Sequence, residues 1–444
     1  MRARIKKWID KVVTSRPSRT KRFMQLALHI QNTIRTTPGT YAHTLHGRLC
    51  VDAFLPQDRS DLPVGVPMSA LLAPTGKKRV RIVYPSGTSW SCIGTLYEAL
   101  RRDERYQVYV ITENYPNYLR VMADKGCDFI NLDNYDVRED KPDVLILTSY
   151  SFTDPRLRLS DIHDYVGKVL ALFPNVVINE TDMDEHWRWV RNAYAQVNPD
   201  YYLFDCLPYT FSDGYIPAEK AVRMGCPIFD ELYEKMQKTD THPAYAKLEG
   251  KKTFLWATDH GLNETHAVEA LAIDLYIKDM FAYFSAHPEY GLIIRLHPYL
   301  KREILESGAF WTENDFRKLK AYCDSSPNIV WDEVPDYSYA FLASDAMLVD
   351  MNCGFLISYL CTGKPICRLM RNDMEVHSIH PELMDAFSYA DHFDACRCFI
   401  EDVAAGMDEK AALRQKVFEE SVLHFDGGNG QRIKEFVDHL MFDV

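Results

Sequence analysis

The sequence lacks paired cysteines, long hydrophobic runs and a dinucleotide-binding glycine motif. Its 11 cysteines are an odd number without a CxxC pair, whereas disulfide frameworks and zinc sites favour even counts or paired spacings. The longest apolar candidate, residues 346–363, contains Asp350 and Asn352, which excludes a membrane-spanning helix. No apolar signal-peptide core follows the first residues, so reduced thiols in the cytoplasm are expected. The first predicted strand, residues 79–85, is followed by Ser86-Gly87-Thr88 instead of the glycine motif GxGxxG. This argues against a single dinucleotide-binding domain.

Length and charge predict a large acidic protein with a basic start. The 444 residues exceed what one hydrophobic core usually organises, so two domains are expected. The net charge is −12, yet residues 1–48 contain 11 Lys and Arg and one acidic residue, Asp10. The rest of the chain carries 40 basic and 62 acidic groups. An acidic body of this kind argues against nucleic acid as a partner.

The basic segment, residues 1–48, has apolar residues at helical spacing. One set runs from Ile5 through Trp8 to Val13, and a second runs from Phe23 to Ile34. Basic amphipathic helices with a tryptophan at the boundary are typical of anionic membrane surfaces. The segment therefore predicts peripheral attachment to the inner face of the cell membrane. The alternative is that these helices cap the catalytic body or a partner subunit.

Short apolar runs alternate with helical patterns in two successive series, typical of parallel sheets covered by helices. The predicted strands are residues 79–85, 106–112, 143–148, 175–179 and 201–204, then 254–258, 291–296, 329–331, 346–349 and 365–369. Helices are predicted at 264–285, 313–323, 336–343 and 355–361, followed by a mostly helical C-terminal tail with a break at 426–430. The sequence thus predicts an α/β protein with two Rossmann-like domains, the GT-B architecture.

The predicted domain organisation follows from that alternation. The charged stretch 231–252 interrupts it and is interpreted as the region of the interdomain linker. The predicted parts are the basic N-terminal helices, an N-terminal acceptor domain, a C-terminal nucleotide-donor domain and a C-terminal helix, at residues 1–48, 49–235, 236–425 and 426–444.

Candidate binding residues lie next to the ends of the strands of the second series, where ligands of doubly wound sheets bind. Together they are expected to bring Arg, His and Lys side chains and one helix N-terminus to the same edge of the sheet, which suits a diphosphate. The candidates are Arg295, His297, Asp350, Asn352, Cys353, Gly354, His260 and Lys364. Singly, His297 reads as a loop residue, Asp350 as a helix cap and Lys364 as a solvated turn residue. Their joint placement favours binding for His297 and the 350–354 turn, and leaves Lys364 open.

The second half of the chain resembles the CDP-glycerol glycerophosphotransferase family, which primes and polymerises bacterial teichoic acids and related capsule polymers. The matching motifs are RLHP at 295–298, DYSYAF at 336–341, SDA at 344–346, MLVD at 347–350 and TGKPI at 362–366. Two outlying motifs are similar as well: GxPxxD ending at Asp230, and a DG…R element formed by Asp426, Gly427 and Arg432. The resemblance covers about residues 80–435.

The resemblance implies transfer of a polyol phosphate, glycerol phosphate above all. The donor would be CDP-activated, the acceptor a hydroxyl of a membrane-linked glycan or polyol phosphate, and CMP would be released. His297 and Arg295, with the amides of 352–354, would hold the diphosphate. The other implied donor-binding residues are Asp350, Lys364, Asp426, Gly427 and Arg432. Neither a metal nor a cofactor is expected.

Two departures from the family pattern concern the site itself. Asn352-Cys353 replaces the family's Ser-Ser, so the hydroxyl contacts to phosphate are lost while backbone donors remain. The His-Gly motif that supplies a base in the polymerases has no equivalent, and His260 is the substitute candidate. Two other functions stay open. One is a GT-B glycosyltransferase with a nucleotide-sugar donor, and the other is an inactive GT-B protein that binds a polymer or recruits partners.

Overall fold

The computed structural model describes most of the chain from residue 62 onward. The described residues are 62–84, 90–114, 116–148, 156–157, 159–173, 197–204, 218–238, 241–258, 272–297, 300–307, 311–334, 336–350, 355–370 and 381–442. Several predictions fall outside them: the basic helices of 1–48, the strand at 175–179, His260, and the turn residues Asn352, Cys353 and Gly354.

The first sheet has seven strands in the order β3-β2-β1-β4-β5-β6-β7. Of its central strands, β4 is buried along its whole length and β1 over its last five residues, as in a parallel sheet covered on both faces. The chain winds outward from β1 to β3 and then crosses to β4 on the other side. The strands are β1 Lys78–Tyr84, β2 Tyr106–Thr112, β3 Phe129–Asn131, β4 Val144–Thr148, β5 Lys168–Phe173, β6 Tyr201–Phe204 and β7 Ala221–Arg223.

The second sheet has six strands in the order β10-β9-β8-β11-β12-β13, and all five pairings are parallel. The order reverses between β8 and β11, so their carboxyl ends border the crevice where doubly wound sheets bind ligands. The strands are β8 Lys252–Ala257, β9 Tyr290–Arg295, β10 Ile329–Trp331, β11 Ala346–Asp350, β12 Ile366–Leu369 and β13 Ser388–Ala390.

Helices connect the strands of both sheets, as parallel pairing requires. Those up to β8 are α1 Met68–Leu72, α2 Gly94–Arg101, α3 Pro116–Asp124, α4 Val137–Asp140 and α5 Ile228–Lys238, with a 3₁₀ helix at Pro243–Leu248. Those around the second sheet are α6 Ile273–Ala286, α7 Leu300–Ser307, α8 Glu313–Ser325, α9 Ser338–Ala343 and α10 Phe355–Leu360. The tail contains α11 Pro381–Asp385, α12 Phe393–Ala404, α13 Ala411–Ser421 and α14 Asn429–Phe442.

The core of the second sheet is apolar and aromatic. Fully buried Phe254, Trp256, Ile294 and Leu348 of the central strands pack with helical residues that include Phe284 of α6. Burying several such side chains, each contributing about 1.5–3 kcal/mol, stabilises the sheet that positions the strand ends. Two parallel sheets with covering helices and a helical tail confirm the predicted fold class. Among the described helices, none is long and apolar enough to cross a bilayer.

The contacts divide the chain into two compact units. One is built around β1 to β4, and the other contains α2, the second sheet and the C-terminal helices. The chain leaves the first sheet at Arg223 and enters the second at Lys252. The domain limits at residues 48, 235 and 425 stay predictions.

Candidate active site at the carboxyl edge of the second sheet

The strand order brings several candidate segments to one edge of the second sheet. Thr258 follows β8, Arg295 ends β9, Asp332 follows β10 and Asp350 ends β11. His297 lies two residues beyond the end of β9. Because β9, β8 and β11 are consecutive neighbours, this edge includes the point where the winding reverses.

The backbone at His297 is fixed to the neighbouring strand. The His297 amide donates a hydrogen bond to the buried Thr258 hydroxyl oxygen at 3.1 Å, and the Thr258 amide donates to the Arg295 carbonyl at 3.1 Å. These bonds extend the β8–β9 pairing by one residue beyond the last strand pair, Ala257 and Arg295. The half-buried imidazole is thereby presented from a rigid strand end rather than from a free loop.

Arg295 belongs to a buried polar network. Its Nη1 donates to Asp332 Oδ2 at 2.6 Å and to the Val334 carbonyl at 2.8 Å. Asp332 Oδ1 accepts bonds from the Tyr245 hydroxyl at 2.9 Å and from the Val334 amide at 3.0 Å. Burial and the nearby Asp332 charge raise the pKa of Tyr245 far above its usual value, so this hydroxyl stays a donor at any working pH. The Arg295 guanidinium lies 5.9 Å from the centre of the Phe355 ring.

The loop between β10 and α9 is also held by polar contacts at the end next to α9. Asp336 forms an ion pair with Lys235 of α5 and accepts the Ser338 amide at 3.0 Å at the start of α9. Burial acts to raise the Asp336 pKa, but the bonds from Lys235 and Ser338 outweigh it and leave the pKa lowered. Tyr337 is half-buried beside Ser91, and burial raises its pKa. The loop that crosses the carboxyl edge is thus held by polar contacts at both ends.

Asp350 and Lys364 occupy different edges of the sheet. Asp350 is completely buried at the carboxyl end of β11, directly before the predicted phosphate-binding turn. Lys364 precedes β12, and its ammonium donates to the carbonyls of Phe341, at 2.8 Å, and Leu342, at 3.3 Å, and to that of Ser344. Burial lowers the pKa of Lys364 to about 8. The prediction that Lys364 shares the edge of His297 is therefore wrong, because a residue before a parallel strand lies at the amino-terminal edge.

The DG…R element lies at the start of α14: Asp426 and Gly427 precede the helix, and Arg432 belongs to it. Arg432 makes two bonds to the Asp426 carboxylate, one of them from Nη1 to Oδ1 at 2.8 Å, and Asp426 Oδ1 also accepts the Gly428 amide at 3.1 Å. The bonds from Arg432 lower the pKa of Asp426. Gly427 has φ +79°, a conformation that favours glycine.

The GxPxxD element meets the DG…R element at the same place. The buried Asp230 carboxylate accepts the amides of Asn429 at 2.9 Å and Gly430 at 2.8 Å, and the Thr95 hydroxyl of α2 at 2.7 Å. It therefore caps the N-terminus of α14 from a distant part of the chain. A Cβ on Gly430 would lie 2.5 Å from the Leu96 amide nitrogen, so only glycine permits this close approach. These contacts hold the start of α14 on α2, and the donor contacts of Asp426, Gly427 and Arg432 stay a prediction.

Three polar residues of the edge were absent from the sequence prediction. Asp332 directly follows the predicted strand 329–331, so the strand-end rule that selected His297 would also have selected it. Tyr245 and Lys235 come from segments before β8, and nothing in their local sequence indicates that they reach this edge.

Sequence comparison identifies no family, whereas comparison of structures identifies the fold. No protein-family model matches the sequence, and no curated protein matches it. The structure of S. aureus MnaA with UDP matches with a TM-score of 0.58 and 13% identity, covering 83% of this chain and 98% of that chain. A variant of the wall teichoic acid polymerase TagF matches with a TM-score of 0.56 and 14% identity, covering 83% and 90%.

A further match is the UDP-GlcNAc 2-epimerase from Neisseria meningitidis bound to UDP-GlcNAc, with a TM-score of 0.53 and 13% identity, covering 82% of this chain and 99% of that chain. The similarity extends over nearly the whole of each known protein. Together with the two parallel sheets, it shows that this chain has the GT-B fold.

Proposed function

We propose that this protein is a GT-B transferase that moves a polyol phosphate, glycerol phosphate in the first place, from a CDP-activated donor to an acceptor hydroxyl. The acceptor would be a membrane-linked glycan or teichoic-acid-like polymer, and CMP would be released. The observation that carries the proposal is the strand order β9-β8-β11. It gathers the ends of three strands that lead into the family-like segments 258–261, 295–298 and 350–354 at one crevice. The similarity to TagF supports the same reading.

The reaction would be an in-line displacement at the phosphorus that carries the polyol. The acceptor oxygen forms a new O–P bond, the P–O bond to CMP breaks, and CMP leaves with that electron pair. The hydroxyl proton passes to a base, for which His260, two residues beyond Thr258, is proposed. The charge of the donor diphosphate must be neutralised, which suits His297, Arg295 and the amides of residues 352–354.

The decisive experiment offers the purified chain a panel of donors with a lipid-linked polyol-phosphate acceptor and follows the products by mass spectrometry. CDP-glycerol should extend the acceptor by one glycerol phosphate per turnover and release CMP. CDP-ribitol in the panel tests the polyol. If no CDP-polyol gives a product while the protein is folded, the proposed chemistry is wrong.

A matched pair of histidine variants tests the site. His297→Ala should abolish transfer, because this imidazole lies at the carboxyl end of β9. His287 lies three residues before the same strand, where its Nδ1 bonds Glu289 at 2.9 Å, and it is the control. His287→Ala should leave turnover near that of the wild type. Equal activities of the two variants would remove His297 from the site.

A nucleotide-sugar donor is the second candidate. MnaA was solved with UDP and the meningococcal epimerase with UDP-GlcNAc, which favours a uridine nucleotide in this fold. UDP-GlcNAc in the same donor panel separates the two: a product gain of one N-acetylhexosamine, or its isomerisation, would replace the polyol-phosphate proposal. A chain that binds no nucleotide at all would instead be a binding or scaffold protein.

We also propose that residues 1–48 attach the protein to the inner face of the cell membrane. Each basic residue close to an anionic surface contributes about 1 kcal/mol, and this segment has 11 Lys and Arg. The full chain should sediment with phosphatidylglycerol vesicles at low salt, and a chain lacking residues 1–48 should not. Vesicle binding that resists both the deletion and added salt would contradict the proposal.

A further inference from the structure

The three residues Tyr245, Asp332 and Arg295, called here the edge triad, form a hydrogen-bonded chain at the carboxyl edge. Asp332 is the centre: Oδ1 accepts the Tyr245 hydroxyl and the Val334 amide, and Oδ2 accepts Arg295. Its side chain is 0% exposed, whereas that of Arg295 is 12% exposed. Both carboxylate oxygens already serve protein donors. Asp332 is therefore placed to act on a ligand only through Arg295.

The geometry of the edge triad fixes the direction of the guanidinium. Two bonds leave the same Nη1 atom of Arg295, one to Asp332 and one to the Val334 carbonyl. The ring of Phe355, the first residue of α10, lies 5.9 Å away on another side. The guanidinium is thus held by contacts with the segment that follows β10 and with the first residue of α10.

A contribution to the stability of the fold is a weak explanation for the buried ion pair between Arg295 and Asp332. Removing both charges from water is costly, and a buried pair is often replaceable by apolar residues without loss of stability. What the pair does supply is orientation: a long, flexible side chain is ordered before any ligand arrives, so the entropy of ordering it is not lost on binding.

We propose that Asp332 and Tyr245 are positioning residues that hold the Arg295 guanidinium at the carboxyl edge, ready for the phosphates of a nucleoside diphosphate donor. The inference rests on the proposed function in one respect, which is that the donor is a nucleoside diphosphate. It names a determinant of donor affinity and not a group that takes part in the chemical step.

The first sheet contains a matched control, a second set of the same residue types. Tyr135, Asp140 and Arg81, called here the core triad, form the same chain: the Tyr135 hydroxyl donates to Asp140 at 3.0 Å, and Arg81 donates to Asp140 at 2.7 and 2.9 Å. Arg81 also donates to the carbonyls of Val80 and Gln107 and to the Gln107 side chain. All five N–H groups of Arg81 are used within the protein, so this triad has nothing to offer a ligand.

The experiment compares Tyr245→Phe and Asp332→Asn with Tyr135→Phe in the full-length protein. Asp332→Asn should raise the donor KM about tenfold and Tyr245→Phe about threefold, with kcat at saturating donor changed less than about twofold. Tyr135→Phe makes the same chemical change and should lower the melting temperature without altering KM. If Asp332→Asn does not fold, Tyr245→Phe, which keeps the ring, decides the question.

Calorimetric titration with CDP and UDP separates this inference from the proposed reaction. Wild-type chain that binds a nucleoside diphosphate but turns over no CDP-polyol would disprove the proposed chemistry and leave the positioning role testable by Kd. A weaker Kd in Tyr245→Phe and Asp332→Asn than in Tyr135→Phe supports the role. Equal Kd values in all three variants, or no nucleotide binding by the wild type, would overturn it.

Discussion

The core triad and the edge triad use the same three residue types, with tyrosine and arginine both donating to the aspartate, yet they lie at opposite kinds of edge. Asp140 precedes β4, so the core triad lies towards the amino ends of the first sheet. Asp332 follows β10, so the edge triad lies at the carboxyl ends of the second sheet. Arg81 is completely buried, while the Arg295 side chain retains some exposure. The comparison teaches that strand-end position, rather than residue chemistry, distinguishes a completely buried support from the partly exposed residue set for which we propose a ligand.

The largest effect is expected when the core triad loses its carboxylate. Asp140→Ala leaves the Arg81 charge buried without its bidentate partner, and removing one member of a buried ion pair costs about 3–5 kcal/mol. Urea denaturation at neutral pH should show that loss in the free energy of unfolding. Donor KM of the folded fraction should be unchanged, and a changed KM would break the distinction between the two triads.

The same substitution in the edge triad should be less damaging to stability. Asp332→Ala leaves Arg295 at an edge where water reaches its side chain, so a loss of about 1–3 kcal/mol is expected. Urea denaturation beside Asp140→Ala measures the difference directly. A loss as large as that of Asp140→Ala would mean that the edge triad is a structural element of the same kind as the core triad.

A pH series sharpens the comparison at the other end of the β10–α9 loop. Because Lys235 and Ser338 hold the folded-state pKa of Asp336 below its ordinary value of 3.8, its contribution is complete above that value and is lost as pH falls through the lower folded-state pKa. The Asp336 side chain is 38% exposed, so the contribution is at most about 1 kcal/mol. Asp336→Asn should therefore be less stable than wild type at pH 7, and the gap should narrow as pH falls below 3.8. A gap that widens in acid would contradict this linkage.

The smallest effect is expected at the ion pair between Asp426, which precedes α14, and Arg432 in its first turn. Asp426 and Arg432 side chains are 49% and 31% exposed, and exposed pairs contribute about 0.5 kcal/mol. Asp426→Asn should lower the free energy of unfolding by about that amount and leave donor KM unchanged. A large increase in KM would restore the donor-binding role that the family resemblance implies.

Much of the fold was predictable because buried parallel strands are continuous apolar runs. The strands at 201–204 and 329–331 match the prediction residue for residue, and β11 differs by one residue. Four strands were missed: β3 Phe129–Asn131, β5 Lys168–Phe173, β7 Ala221–Arg223 and β13 Ser388–Ala390. Three of these strands have only three residues, which is too few for an apolar pattern to stand out from the neighbouring sequence.

The site was predictable only where position along a strand determines it. The strand-end rule selected Arg295 and His297, but applied to the wrong end of β12 it also selected Lys364. Tyr245 was not predicted as a residue of the site, because it contacts Asp332 across 87 residues of sequence. Contacts over such separations depend on how elements pack, and a single sequence does not specify that.

The hydrogen bonds between Asp230 and the N-terminus of α14 determine how late this part of the chain can complete its folding. Asp230 binds the amides of Asn429 and Gly430 across about 200 residues, and the same carboxylate binds Thr95 on α2. During synthesis the ribosome makes α2 and Asp230 long before α14. Until α14 is made, the Asp230 carboxylate lacks the two amides that it binds, and the surface of α2 that contacts α14 is uncovered. Contacts of such sequence separation are slow to form and leave partly folded chains exposed to aggregation. A ribosome stalled shortly before residue 429 would therefore carry a nascent chain whose early segments are still open to chaperones and proteases.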